Sequence, residues 1–205
     1  MSNSLTYQIL QDGPRNHIMK VVGILDTADI PLASGAKTVG ITNGSPTATI
    51  ATTTDIVQGQ RVTGTGIPAN TYITAVSAGV GFTMSQNATA TNATASLTLG
   101  GAVLFDPAVL SKVDDFGTGL ATQGRVNRVV FTVEPALECR IYWDATAPVL
   151  MTDSTGAAHQ ELDKFGGLQN NAGAGKNGMI ILVTQGWATS AILSFTIVLE
   201  IVKQK

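Results

Sequence analysis

Two histidines, His17 and His159, and a single cysteine, Cys139, are the side chains of this sequence best suited to metal binding or nucleophilic attack. Zinc sites take three or four nitrogen and sulfur ligands, usually with short spacings between some of them. Neither histidine lies in an H-x-x-x-H pattern, so both read as solvated or hydrogen-bonded side chains. Asp153-Ser154 with His159 nearby has the residue types of a hydrolase triad. No G-x-S-x-G elbow presents that serine, and Thr152-Asp153-Ser154-Thr155-Gly156 has the composition of a turn. Asp12, Asp26, Asp29, Asp144 and Asp153 could pair as glycosidase acids or calcium ligands, but the D-x-[DN]-x-[DN]-G pattern is absent and they read as solvated turn residues. Cys139 alternates with Ile141 and Trp143 on an apolar face, the position of a small core residue.

Gly173-Ala-Gly175-Lys-Asn-Gly178 matches G-x-G-x-x-G to the letter. A dinucleotide fingerprint places those glycines after a strand and at the opening of a helix, where the helix N-terminus meets the pyrophosphate. Here they precede the β-type run Met179–Val183. A P-loop fails as well, with Asn170 in place of glycine and Asn177 in place of the Mg²⁺-binding Ser/Thr. The segment reads as a flexible loop or one that packs on a neighbour. Tyr7, Tyr72, Tyr142, Trp143 and Trp187 could form a sugar-stacking platform, against which stands ordinary core or interface packing. The residues thus assign no catalytic, cofactor-binding or metal-binding position and call for no cofactor.

The elements that carry these residues are β-type. Leu5–Leu10 and His17–Leu25 read as strands around the breakers in Gln11-Asp12-Gly13-Pro14-Arg15-Asn16. Asp106-Pro107 followed by Ala108-Val109-Leu110 has the signature of a helix start, which Asp114-Asp115, Gly117 and Gly119 limit to a turn or two. In Arg128–Glu134, Val129, Phe131 and Val133 share a face; in Glu138–Trp143, Cys139, Ile141 and Trp143 do so. Met179–Thr184 and Ala191–Val202 follow, the latter with Leu193, Phe195, Ile197, Leu199 and Ile201 on one side and enough length to bend or change partners. A period of two is what half-buried antiparallel strands require. Between them lies the Gly/Asn-rich stretch Phe165–Gly178.

From residue 36 to 100 the chain changes character: it has 16 threonines and three charged residues, Lys37, Asp55 and Arg61. Short β-branched runs near 37–42, 47–51, 61–64, 71–76, 81–85 and 95–99 alternate with Gly, Pro and Asn, which describes a small all-β module. The expected fold is therefore all-β: a β-sandwich or jelly-roll-like host, 1–33 plus 102–205, carrying an inserted small β-sandwich (Ig-like) module at 34–101.

Composition narrows the function classes. The 205 residues are 44% hydrophobic and only 13% charged, with net charge −2 and a pI near 5.6. That leaves no basic footprint for nucleic acid. No run approaches the ~20 apolar residues of a membrane helix, and the first residues lack the n- and h-regions of a secretion signal. A lone cysteine cannot form an internal disulfide, and the sequons at Asn43, Asn87 and Asn92 read as chance matches in a Thr-rich chain. The expectation is a protein made in the cytoplasm, its scarcity of charge pointing to burial in an assembly.

Val62-Thr-Gly-Thr-Gly-Ile-Pro-Ala-Asn-Thr-Tyr-Ile-Thr-Ala-Val76, followed by Gly81-Phe-Thr-Met-Ser-Gln-Asn-Ala-Thr-Ala90, resembles a small β module that recurs in structural proteins of tailed bacteriophages. Tyr142-Trp143-Asp144-Ala145-Thr146, Phe165-Gly166-Gly167-Leu168, Asn171-Ala172-Gly173 with Gly175-Lys176, and Phe195–Glu200 resemble segments of virion proteins, in particular capsid decoration (cement) subunits. The resemblance implies a non-enzymatic virion protein, made in the bacterial cytoplasm and seated on the capsid surface. Its partners would be the major capsid protein and further copies of itself, a trimer being favoured, without nucleic acid or membrane and with a host glycan as a further ligand. Tail, neck or fibre proteins carry similar modules.

Overall fold

The structure is a computed structural model and describes residues 2–109 and 121–204. Among these the protein is all-β, with fourteen strands and two single-turn 3-10 segments, Pro107–Val109 and Asp163–Phe165. All of the strand pairs with a recorded register are antiparallel. At the expected helix start, the Asp106 carboxylate accepts the N–H of Ala108 at 2.9 Å and caps the 3-10 turn. The remainder of that expected helix, from Leu110 on, lies outside the described residues.

The chain divides into two compact units: residues up to 5 with 24–103 and 183–192, and residues 6–23 with 104–182 and 193 onward. In the first unit, β3 (Lys37–Ile41), β4 (Thr47–Thr49), β6 (Ile73–Ser77), β7 (Gly81–Met84) and β8 (Asn92–Phe105) form the order β8-β3-β4-β7-β6, and β5 (Gln60–Gly64) pairs with β8 on its other side. A bridge between Arg61 and Tyr72, with Val62 N–H donating to Thr71 C=O at 2.8 Å, returns the chain entering β6 to β5. The sheet therefore curls on itself. All six expected strands are present, and β8 continues to Phe105. The twelve residues of the buried cluster, from Val39 to Leu99 and including Phe82 and Leu97, all fall between those two positions. A strand pattern that is weakly apolar in sequence works here because curling gives each strand one enclosed face.

In the second unit, β1 (Ser4–Asp12), β2 (Asn16–Leu25), β9 (Gln123–Val133), β12 (Gly156–Glu161) and β14 (Leu193–Gln204) make a five-stranded sheet in the order β1-β2-β14-β9-β12. A second layer contains β10 (Glu138–Trp143) between β11 (Val149–Ser154) and β13 (Ile180–Gln185). The alternation seen in sequence is the burial pattern: Val129, Val133, Ile141, Phe195, Ile197 and Ile201 are at most 3% exposed. The long strand β14 bends but does not change partner on its β9 side. It pairs with β9 from Phe195↔Val133 to Gln204↔Gln123, and a bulge at Glu200/Ile201 takes up one extra residue of β9, which raises the local twist without ending the ladder.

Candidate functional site

The polar residues that sequence alone leaves scattered fall into three separate constellations. The first is the most buried. The turn between β1 and β2 brings Asp12 beside His17, whose Nδ1 lies 3.2 Å from Asp12 Oδ1. The inward face of β14 continues past Ile201 to Lys203, whose side chain is 0% exposed, forms an ion pair with Asp12 and donates to Gly13 C=O at 2.9 Å. The imidazole packs edge-on against Phe105 at 5.7 Å between ring centroids. Burial pulls the His17 pKa below its ordinary value; the hydrogen bond to Asp12 and its charge oppose that shift, and the Lys203 charge adds to it. A buried ammonium requires both a counter-charge and hydrogen-bond acceptors, and the β1–β2 turn supplies them. Asp12 is thus not simply a solvated turn residue. Lys203 goes unnoticed when the strand is taken to end at Val202, yet the two-residue period places it on the apolar face.

The second constellation gathers around Asp29. Its carboxylate accepts the Thr184 hydroxyl at 3.1 Å and the backbone N–H groups of Gly186 and Trp187 at 3.1 and 3.2 Å. The Trp187 indole N–H is satisfied by Ala191 C=O at 2.9 Å. This is a loop clamp: a carboxylate holds the 186–191 loop through its own backbone, and the tryptophan is half-buried rather than presented as a flat platform.

The third is the glycine-rich segment. Asp144, 4% exposed, accepts from Asn177 Nδ2 at 2.7 Å, and Thr146 N–H donates to Ala174 C=O at 3.1 Å. Gly175 (φ 74°) and Gly178 (φ 80°) adopt left-handed conformations, and a Cβ at either would run into Thr146 Oγ1 or Thr122 C=O respectively. The G-x-G-x-x-G spacing serves a tight turn laid against its own unit, with a β-strand after it.

The remaining candidates do not converge. Ser154 is buried in register with Cys139 on β10, whereas His159 is exposed on β12 in register with Val130, in the other sheet. Cys139 and Trp143 are buried, Asp26, Tyr7, Tyr72 and Tyr142 are half-buried, and Asp153 is exposed opposite Arg140. Among the described residues, no group of three or more His, Cys, Asp or Glu is placed to hold a metal ion. No helix there is long and apolar enough to cross a membrane.

One exposed feature escapes sequence reasoning. Phe165, read only as the start of a Gly/Asn-rich loop, is 87% exposed at the tip of the Asp163–Phe165 turn. The tip is held stiffly: Phe165 and Gly167 both donate to Leu162 C=O, at 3.1 and 2.8 Å, and Leu168 and Val126 exchange backbone hydrogen bonds. Compared with known proteins, the chain matches no family model, no curated protein and no solved structure.

Proposed function

We propose that this chain is a non-enzymatic structural protein of a tailed-bacteriophage particle, made in the bacterial cytoplasm and bound to the outer surface of the head as a decoration (cement) subunit. In this reading 1–33 plus 102–205 are a β-sandwich or jelly-roll-like host, and 34–101 is an inserted Ig-like module. The observation that carries it is a charge-poor all-β chain that leaves large apolar side chains outside. Ile9, Leu10, Val80, Val109, Phe165 and Ile192 are each at least 50% exposed. Exposed apolar groups on a surface with few charges favour contact with another protein. The resemblance of 62–90 to phage modules supplies the setting. The mechanism is additive: each copy docks across a joint between capsid subunits, and many weak contacts, repeated by symmetry, resist the pressure of packaged DNA.

Particles lacking the protein should release their DNA at lower temperature than complete ones, measured by dye accessibility on heating. Equal release temperatures would sink the cement role. Copy number in purified particles separates this from the second reading, a tail, neck or fibre protein: a cement subunit approaches the capsid protein in abundance. The half-buried Trp187, with its indole N–H already bonded to Ala191, gives weaker support to a glycan-binding module.

A further inference from the structure

The β9–β12 pair carries two unmatched features at opposite ends. At one end Gly156 lies opposite Val133, and beside them an open cavity of about 380 Å³ is lined by Val133, Glu134, Pro135, Ala157 and Phe195 among others. The cavity is open to solvent, so a side chain from another molecule can reach it. At the other end Glu161 lies opposite Arg128, Leu162 donates to Asn127, and the turn that follows presents Phe165. Five steps of β12 at ~3.3 Å each separate the two ends by roughly 17 Å.

We propose that Phe165 of one copy inserts into this cavity on a second copy, so that the protein self-associates head to tail. Four observations support the pairing. Phe165 is held on a hydrogen-bonded turn, so little conformational entropy is lost on docking. The cavity offers apolar contact surface in the exposed Pro135 and Ala157. The charges match: Lys164 directly precedes the knob, while Glu134, an exposed carboxylate that accepts from Ser194 Oγ at 3.2 Å, stands at the cavity. Finally, knob and hole sit at opposite ends of one strand pair and cannot meet within a chain across that span. Such a contact is heterologous, so copies add in one direction and close into a ring when the rotation per step permits. The contact needs no capsid, and it would hold for the isolated protein whether or not the virion reading does.

The test uses the purified full-length chain in sedimentation velocity across a concentration series. The native protein should assemble with rising concentration. Phe165→Ser, which removes a side chain that is 87% exposed, should shift the weight-average mass to the monomer at least tenfold further up the series. Glu134→Lys and Lys164→Glu should each weaken assembly, and the two together should restore it. Under a mild oxidant, a mixture of Phe165→Cys and Ala157→Cys chains should form a disulfide-linked pair that neither variant forms alone; the native Cys139 is 0% exposed and stays silent. A native chain that is monomeric throughout, a Phe165→Ser chain that assembles like the native one, a double charge swap no better than the single ones, or a mixture with no extra cross-link would each overturn the proposal. None of these results bears on the heat stability of particles, so the two readings fail separately.

Discussion

Among single residues, those of the Asp12–His17–Lys203 cluster set burial directly against charge. Lys203 is held in an apolar layer because β14 alternates strictly up to its end, and the ammonium is tolerated because Asp12 and the Gly13 carbonyl receive it. His17 sits between that pair and Phe105. Its folded pKa lies below the ordinary histidine value near 6.5. In the window between the two values the unfolded chain binds more protons than the folded one, so stability rises with pH there. The contribution is complete above about pH 6.5 and is lost as pH falls through that value toward the folded pKa. Urea midpoints taken from about pH 8 to about pH 5 should therefore decline on the acid side, and His17→Gln should flatten that decline. An unchanged slope in the variant would place the acid sensitivity elsewhere, with Asp12 the next group to examine.

At the scale of elements, the turns decide more than the strands do. Strand positions follow from two-residue alternation, and the expected runs at 5–10, 17–25, 128–134 and 138–143 lie within β1, β2, β9 and β10, save for Glu134 just past the end of β9. Turn geometry is less visible. Gly173 and Gly178 look equivalent in the glycine motif, yet a Cβ at Gly173 meets nothing within 4 Å, while Gly178 has φ 80° and lies against Thr122 C=O. Gly178→Ala should cost about 1–3 kcal/mol for the forced left-handed conformation, with the steric clash added. Gly173→Ala should leave the urea midpoint within experimental error. Equal losses at both positions would mean that the motif acts as one flexible unit rather than as a tight turn laid against Thr122.

At the scale of the whole molecule, the module question has a physical form: whether residues 34–101 bury enough apolar surface to fold alone. Their twelve-residue cluster includes Phe82, Met84, Leu97 and Leu99, none more than 2% exposed, and is drawn entirely from within the segment. The curled sheet leaves few open edges, which favours independence. Against it, about 68 residues is near the lower limit for a core without disulfides or metals. A fragment spanning 34–101 should unfold cooperatively with urea and give dispersed amide proton shifts. A collapsed fragment without a cooperative transition would tie its stability to residues 24–33 and 183–192, which share its compact unit.

The all-β class, the positions of most strands and the apolar faces of β9, β10 and β14 are legible in the sequence, because a period of two is a local property that burial must obey wherever the strand ends up. The sequence also shows that the glycine motif lacks the helix a nucleotide site needs. Which polar groups meet follows from the fold alone. Asp12 and Lys203 are 191 positions apart and Asp29 and Trp187 are 158 apart, and no periodicity connects them. The exposure of Phe165 was equally hidden, since an aromatic beside two glycines has the same composition whether its loop folds inward or is braced outward. The deciding factor there is the backbone hydrogen bonding of the Leu162–Leu168 turn, a property of the folded chain.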